Sequence, residues 1–225
     1  MKQDIPSLRE KQEEIARRVD LHNALPPFDQ LQTVGAADIS CGRFSKIGYA
    51  AVVVMTYPNL ELIERVWAEE ELAFPYIPGF LAFREWPLVK TCLERLKALP
   101  QVLVCDGQGI AHPRRAGLAS HIGVESGLIT VGCAKSRLVG EYAEPGLERG
   151  GKSDLLLNGD KIGEVVRTRN HVKPLFISPG HRIDFERSTQ LILHLCRQCR
   201  LPEPIREAHR FVNEIRKREY ESSQR

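Results

Sequence analysis

Three acidic residues lie in settings where a carboxylate needs a partner or a cation. Asp38 lies inside the apolar run "GAADIS", Asp106 ends "QVLVCD", and Glu85 lies between them in "FREWP". A buried, unpaired aspartate is costly, and converging carboxylates favour a divalent cation, Mg²⁺ or Mn²⁺ rather than zinc. Such a cluster can activate water for attack on a phosphodiester. Three independent acids, in a bend, a helix salt bridge and a turn, are equally consistent with the spacing.

The loop that follows the strand-like run "QVLV" supplies residues suited to a phosphate. In "DGQGIAHPRR" the glycines allow close backbone approach, while Arg114, Arg115 and the later Lys135 can neutralise charge. His112 is a candidate for orienting water or binding phosphate, and His209 is a candidate proton carrier near the metal. A single histidine is more often a surface or supporting residue, and that alternative stays open for both.

Two short motifs match known site patterns in the wrong context. "GLERGGKS" at 146–153 satisfies the pattern of a nucleotide-binding loop, but no buried strand precedes it and a strand-and-turn pattern follows. Cys196 and Cys199 have C-x-x-C spacing without a second pair for zinc or a thioredoxin-like context. We therefore predict neither a nucleotide site nor a zinc or redox site. The six cysteines lie mostly in apolar segments and are predicted to be buried, reduced thiols.

The elements that must position these residues alternate between strands and helices. Ser7 and Glu10 form a capping-box pattern before a helix over "LREKQEEIARRVDLHN". Three strands follow, "TVGAADISC", "KIGYAAVVVMTY" and "LELIERVWAE", joined by short turns and predicted to form an antiparallel meander. Next come a helix over "FLAFREWPLVKTCLERLKAL" that contains Pro87, the short apolar strand "QVLVCD", a helix around "AGLASHIGVESG" and the strand "ITVGCA". The first and fourth strands should be neighbours, so that Asp38 and Asp106 face each other.

This order, β-β-β-α-β-α-β, is that of ribonuclease H-like nuclease domains, an α/β class with a mixed sheet and flanking helices. We predict one domain over residues 1–225. Its predicted parts are a core at about 30–140, further elements at 141–215 and a tail at 216–225 to which we assign neither order nor function. The further elements are a Gly-rich loop (144–153), the strands "DKIGEVVRTR" and "PLFIS", and two helices. We expect these helices to begin after "SPGH" and at "PEPIREAHRFVNEIRKRE", where prolines mark their starts.

Composition limits the classes of protein that the chain can represent. Of its 225 residues 42% are apolar and 27% charged, as in ordinary globular domains. The longest apolar run, "YAAVVVM", is far below the roughly 18 residues of a membrane span, and the N-terminal segment has no apolar signal core. The net charge is +3, with basic clusters such as "HPRR" and "RTRNHVK" that are compatible with a polyanion. We expect a cytoplasmic monomer with no membrane partner.

Five ordered blocks carry a resemblance to a known family. They are "FPYIPGFLAFREWP", "DGQGIAHPRRAGLASH", "VGCAKSRLVG", "PLFISPGHRIDFERS" and "LPEPIREAHR". The chain resembles, over roughly residues 5–215, endonuclease V, a repair nuclease that nicks nucleic acid beside deaminated purines. One departure is "AADISC" where many relatives read "GVDxSF", so that Ala37 and Cys41 change the neighbours of Asp38.

The resemblance implies roles for individual residues. The implied catalytic residues are Asp38, Glu85, Asp106, Lys135 and His209, of which Asp38, Glu85 and Asp106 would hold the metal. Tyr76 matches an aromatic wedge that enters the duplex, although an aromatic packed beneath a proline-rich loop is the commoner case. The implied base pocket is lined by Gly79, Leu81, Gly117 and Leu118. The implied phosphate or DNA contacts are Arg84, His112, Arg114, Arg115 and His181.

The resemblance also implies an activity. A Mg²⁺-dependent deoxyribonuclease, with Mn²⁺ as a substitute, would nick double- or single-stranded DNA at the second phosphodiester bond 3′ to deoxyinosine. The ends would be a 3′-hydroxyl and a 5′-phosphate. Two alternatives stay open: an endoribonuclease specific for inosine-containing RNA, and a non-catalytic protein that binds the lesion.

Overall fold

The protein is described by a computed structural model over residues 5–41, 46–72 and 77–222. Within these residues the chain forms five helices and eight strands. In chain order they are α1 (Ile5–Arg18), β1 (Thr33–Cys41), β2 (Ile47–Thr56), β3 (Leu62–Glu71), α2 (Leu81–Arg95), β4 (Leu103–Cys105), α3 (Leu118–Ser126), β5 (Thr130–Ala134), β6 (Lys152–Leu157), β7 (Asp160–Val166), β8 (Leu175–His181), α4 (Phe185–Leu195) and α5 (Glu203–Ser222).

The eight strands form one mixed sheet in the order β3-β2-β1-β4-β5-β8-β7-β6. β1, β2 and β3 pair antiparallel, which confirms the predicted meander. β1, β4 and β5 pair parallel at the centre of the sheet. β4 and β5 are wholly buried, as strands covered on both faces must be, and this explains their short, continuous apolar sequences.

Helices cover both faces of the sheet. Because side chains alternate along a strand, Ala36 and Val104 face the α4–α5 side, where they pack in one core cluster with Ala208. Ala37 and Cys105 point the other way, into a second cluster with residues of α2 and α3. α1 packs on the outer side of α3 through Ile15. None of the described helices combines the length and apolar character that a membrane crossing requires.

Some predicted helix ends differ from the structure. α1 already includes Ile5 and Pro6, so Ser7 lies inside the helix and is not its N-cap; a proline is tolerated in the first turn. Pro179 lies within β8 and does not mark the start of α4, whose N-cap Asp184 accepts a hydrogen bond from the Arg187 amide at 2.7 Å. α5 continues through Ser222, so residues 216–222 of the predicted tail are helical.

The nucleotide-loop pattern and the C-x-x-C motif do not lie in the structural contexts that their functions require. The strand β6 begins at Lys152, inside the predicted Gly-rich loop, and pairs with β7, so no helix follows the nucleotide-loop pattern. The Lys152 Nζ atom lies 3.2 Å from the Glu164 carboxylate. Cys196 is the buried C-cap of α4, and all six cysteines are free thiols. Four of the six are buried: Cys92, Cys105, Cys133 and Cys196.

A close approach of backbone segments fixes the loop after β4. A Cβ atom on Gly132 of β5 would lie 2.3 Å from the Gly109 backbone nitrogen and 2.7 Å from the Gln108 carbonyl carbon. The Gly109 amide in turn donates to the Ser178 hydroxyl on β8 at 2.8 Å. The loop that begins at Asp106 therefore lies directly against β5, and only glycine allows this.

We expect Gly132→Ala to lower the free energy of unfolding by about 1–3 kcal/mol, because backbone atoms must shift to admit the methyl group. Urea denaturation measures the change. Gly146→Ala is the matched control, since the nearest atom to its added Cβ lies at 3.9 Å. Equal stability of the two variants would contradict the close approach.

Candidate active site

The pairing of β1 with β4 brings two aspartates side by side. The parallel register joins Ala37 to Cys105, so the next residues, Asp38 and Asp106, are neighbours. The Asp106 amide donates to the Ala37 carbonyl at 3.4 Å, which continues the pairing past the end of β4. Asp38 is only 6% exposed. Both carboxylates therefore lie at the carboxyl end of the central parallel strands.

Each aspartate contacts one basic side chain. Lys135, which directly follows β5, donates from its Nζ atom to the Asp106 carboxylate. His209 of α5 places its Nδ1 atom 2.7 Å from Asp38 Oδ2. The basic ends of Lys135 and His209 are both partly exposed, whereas the carboxylates are largely buried. The two basic side chains thus approach the carboxylates from the solvent side of the site.

Glu85 on α2 adds a third carboxyl group. Burial, and then the negative charges of Asp38 and Asp106, raise the pKa of Glu85 to about 8, with Arg84 acting in the opposite direction. Burial and the Asp106 charge also raise the pKa of Asp38, while the hydrogen bond from His209 opposes the rise. The three acids therefore share one electrostatic environment and are not independent of one another.

The donor chemistry of this cluster suits a hard divalent cation. Carboxylate oxygens are the ligands that Mg²⁺ and Mn²⁺ prefer, and a dication would remove the repulsion that raises these pKa values. Across 5–41, 46–72 and 77–222, no three His, Cys, Asp or Glu side chains already stand at the spacing of a metal cage. The fit of these residues to a cation thus rests on the chemistry of their oxygen ligands and on their charge, and not on the spacing of a preformed cage.

A short chain of hydrogen bonds orients His209. The Ser40 hydroxyl donates to Asn213 Oδ1 at 2.9 Å, so the Asn213 amide nitrogen faces His209 Nε2 at 3.2 Å. With Nε2 as the acceptor, the His209 proton lies on Nδ1 and points at Asp38. Ser40 and Asn213 are not among the residues that the sequence predicts for the site; the spacing of four between His209 and Asn213 on one helix is the available signal.

A cavity of about 330 Å³ opens beside Asp106 and Lys135. All four predicted base-pocket residues lie in its wall. The lining includes Gln12, Gly79, Leu81, Ala82, Asp106, Gln108, His112, Gly117, Leu118, Lys135 and Arg137. The structure thus brings the predicted pocket and part of the predicted catalytic set to one place.

Two helix N-termini open on this cavity. α2 begins at Leu81 after its N-cap Phe80, and α3 begins at Leu118 after its N-cap Gly117. No side chain of the described residues caps either helix. The first amide groups of a helix have no partner within it and carry partial positive charge. The Ala119 amide of α3 donates to the Gln108 carbonyl at 2.9 Å, so the backbone donors that the cavity wall offers to a ligand are those of Leu81 and Leu118.

Two predicted phosphate contacts bind the protein backbone. The His112 Nε2 atom lies 3.0 Å from the Gly79 carbonyl oxygen, and its Nδ1 accepts from the Arg114 amide at 3.2 Å. Burial lowers the pKa of His112 to about 4, so the ring is neutral. The Arg114 guanidinium donates to the same Gly79 carbonyl at 3.1 Å. Both side chains support the cavity wall, and their role as phosphate or DNA contacts stays a prediction.

The structure separates two further predicted contacts. The Arg84 Nη2 atom lies 3.3 Å from Cys41 Sγ, beside Glu85 and close to the carboxylates. Arg115 faces away toward the β7 strand, where it forms a 3.2 Å ion pair with Asp160. Arg84 therefore lies at the site, and Arg115 does not.

His181 and Tyr76 complete the predicted set. His181 pairs with Thr130 at the start of β5, the end of that strand opposite to Lys135, so the structure does not bring it to the carboxylates. Its Nδ1 instead accepts from the Asp20 amide at 3.2 Å. Tyr76 lies outside the described residues.

A mixed sheet of this order, with carboxylates at the ends of its central parallel strands, defines a nuclease of the ribonuclease H-like class. The sequence model of the family described as Endonuclease V matches residues 13–210. The chain belongs to the endonuclease V family.

Individual relatives agree over nearly the full length. Endonuclease V of Dehalococcoides mccartyi is 45% identical over 204 residues, which cover 91% of this chain and 90% of the relative. The crystal structure of endonuclease V from Streptomyces avermitilis has a TM-score of 0.92 at 38% identity and covers 96% of this chain and 95% of its own. A Ciona intestinalis endonuclease V, solved with a 23mer DNA containing an inosine followed by a ribo-adenosine, has a TM-score of 0.86 at 28% identity, with coverages of 97% and 99%.

The carboxylate cluster predicts how stability depends on pH without divalent cations. The Glu85 pKa is raised from 4.5 to about 8, so folding takes up a proton between these values. The free energy of unfolding should therefore fall as pH rises through this interval, by up to about 1.4 kcal/mol per pH unit, and then level off. Denaturation of the EDTA-treated protein at several pH values measures the slope.

Glu85→Gln should flatten this slope, because the amide does not titrate. Glu94→Gln on the same helix is the control, since its side chain is exposed and pairs with Lys90 at 3.8 Å. A wild-type slope unchanged by Glu85→Gln would show that Glu85 lies in no shared carboxylate field.

Proposed function

We propose that the protein is a DNA repair endonuclease that nicks at the second phosphodiester bond 3′ to a deaminated purine such as deoxyinosine. The products are a 3′-hydroxyl and a 5′-phosphate. The observation that carries the proposal is the base-sized cavity directly beside Asp106 and Lys135. Its volume falls within the range of about 300–1,000 Å³ that small ligands occupy. The inosine-containing DNA held by the Ciona relative supports the same substrate.

The cavity wall suits hypoxanthine better than adenine. A helix N-terminal amide, such as that of Leu81, donates to the O6 acceptor of hypoxanthine, whereas adenine presents an amino donor there and leaves the amide unpaired. A deaminated base pairs poorly and is therefore easier to take out of the stack. In the proposal Tyr76 fills the gap that the base leaves in the duplex.

The carboxylates have a separate task. In the proposal Asp38, Asp106 and Glu85 hold Mg²⁺, with Mn²⁺ as a substitute. The bound cation supplies charge for the phosphodiester and lowers the pKa of an attacking water. Lys135, which lines the cavity and donates from its Nζ atom to Asp106, compensates phosphate charge. His209, held by Asn213, moves a proton at its Nδ1 atom beside Asp38.

A protein that only binds the lesion gains nothing from carboxyl groups held at raised pKa, so the proposal favours catalysis over binding alone.

The proposal places the protein in the cytoplasm, where free thiols such as those of Cys105 and Cys133 persist.

A nicking assay tests the substrate. A labelled duplex with one deoxyinosine should give a single Mg²⁺-dependent nick on its 3′ side, and EDTA should abolish the nick. The undamaged duplex is the control, and equal cutting of both duplexes would contradict the proposal. A third strand with one ribose 3′ to the inosine tests the RNA alternative, which a much faster cut would favour because a 2′-hydroxyl contact is then used.

Asp106→Asn tests the carboxylate role. We expect the nicking rate to fall about a hundredfold or more while binding to inosine-containing DNA is largely kept, because asparagine removes the charge that the metal needs and keeps the size of the side chain that lines the cavity. Single-turnover nicking and a gel-shift titration measure the two effects. Asp154→Asn, an exposed partner of Lys161, is the control. Joint loss of binding and cutting would refute the role.

A further inference from the structure

Gln12 is a fully buried polar residue on α1 that contacts two other segments of the site. Its Nε2 atom donates to the Gly79 carbonyl oxygen at 2.7 Å. Its Oε1 atom accepts a hydrogen bond from the Arg114 Nε atom. The contacts span 67 and 102 residues of sequence, so Gln12 joins the N-terminal helix to both sides of the cavity wall.

The Gly79 carbonyl is held more firmly than an ordinary loop carbonyl. It accepts from three side chains of the described residues: Gln12 at 2.7 Å, His112 at 3.0 Å and Arg114 at 3.1 Å. A carbonyl oxygen has two lone pairs, so these donors use its whole capacity. This carbonyl therefore serves as an anchor for the chain and has no capacity left to accept from a base.

The anchor lies where it controls the cavity. Gly79 has a φ of +79°, in the left-handed region, and comes two residues before the start of α2. Its position therefore fixes the Leu81 amide at the cavity wall. The turn is completed by the Phe80 amide, which donates to the Ile77 carbonyl at 3.0 Å. Movement of this carbonyl would displace the amide that reads the base.

Gln12 also positions the Arg114 side chain, which donates to the same Gly79 carbonyl. The Arg114 guanidinium lies 4.6 Å from the centre of the Phe80 ring, so it braces the residue after Gly79 as well. The Arg114 Nε atom donates to Gln12, whereas its Nη2 atom donates to the Gly79 carbonyl. Loss of Gln12 therefore loosens two of the three donors to Gly79.

We infer that Gln12 is a positioning residue for lesion recognition, which sets the base-reading end of α2 through Gly79 and Arg114. The inference rests on the proposed function. Gln12 makes no contact with the carboxylates among the described residues, so it acts on selection of the base and not on the cutting step. It also lies just outside the 13–210 segment that the family model matches.

Gln12→Met tests the inference, because methionine keeps the length of the side chain and removes both hydrogen bonds. We expect the nicking rate at saturating inosine-containing DNA to stay near that of the wild type. The DNA concentration for half-maximal rate should rise about tenfold, and selection over undamaged DNA should fall by a similar factor, as the loss of one or two buried hydrogen bonds would give. Gln12→Glu keeps the acceptor for Arg114 and removes the donor to Gly79, and we expect a similar loss.

Arg18→Met is the matched control. Arg18 also joins α1 to α3, at 3.2 Å from Glu125 and 3.4 Å from the Val124 carbonyl, but it is not in the cavity wall. Thermal denaturation shows whether the variants are folded. If Arg18→Met reduces selection as strongly as Gln12→Met, the effect is a general loosening of α1 and the inference is overturned.

Hydrogen exchange of the Phe80 amide tests the inference without any DNA. Exchange should be faster in Gln12→Met than in the wild type and unchanged in Arg18→Met. Unchanged exchange in Gln12→Met overturns the positioning role whatever the substrate. If the wild type instead fails to select inosine, the proposed function fails, and faster exchange in Gln12→Met alone still supports the anchor.

Discussion

The mutual repulsion of Asp38, Asp106 and Glu85 is the interaction on which the rest of the site depends. The chain offsets it in two ways, by basic partners at the two aspartates and by a Glu85 pKa of about 8. Five different elements or their ends, β1, β4, β5, α2 and α5, supply these groups. The complete fold is therefore needed to bring the charges together, and no local segment forms the site.

The shape of the cavity depends on close packing of backbone segments, whereas the arrangement of the carboxylates depends on charge. A Cβ on Gly117 would lie 2.4 Å from the Gln108 carbonyl oxygen, and one on Gly132 would meet the other side of the same loop. The loop is thus held between α3 and β5 at backbone contact distance. The Ala119 amide at the start of α3 donates to the Gln108 carbonyl at 2.9 Å, so Gly117 and Gly132 set how closely this loop lies between the cavity and the carboxylates.

Sequence patterns predicted the strands and the pairing that follows from the order of elements along the chain. The strand "TVGAADISC" matches β1, and the β1–β4 pairing that joins Asp38 to Asp106 follows from the order of elements. Contacts across the fold could not be predicted in this way. His112 and Arg114 resemble surface charge because their common partner, the Gly79 carbonyl, is distant in sequence and has no side chain to signal it. The burial of Gln12 could be inferred only from its place one turn before Ile15 on α1.

Both ends of the chain complete the site without supplying its carboxylates. Gln12 on α1 fixes Gly79 at the cavity, and Asn213 on α5 fixes the tautomer of His209 beside Asp38. Both residues lie outside the 13–210 segment that the family model matches, whereas Asp38, Glu85 and Asp106 lie within it. The carboxylates and the two residues Gln12 and Asn213 thus lie in different parts of the sequence. A change at Gln12 or Asn213 therefore alters how the site is held while leaving its carboxylates in place.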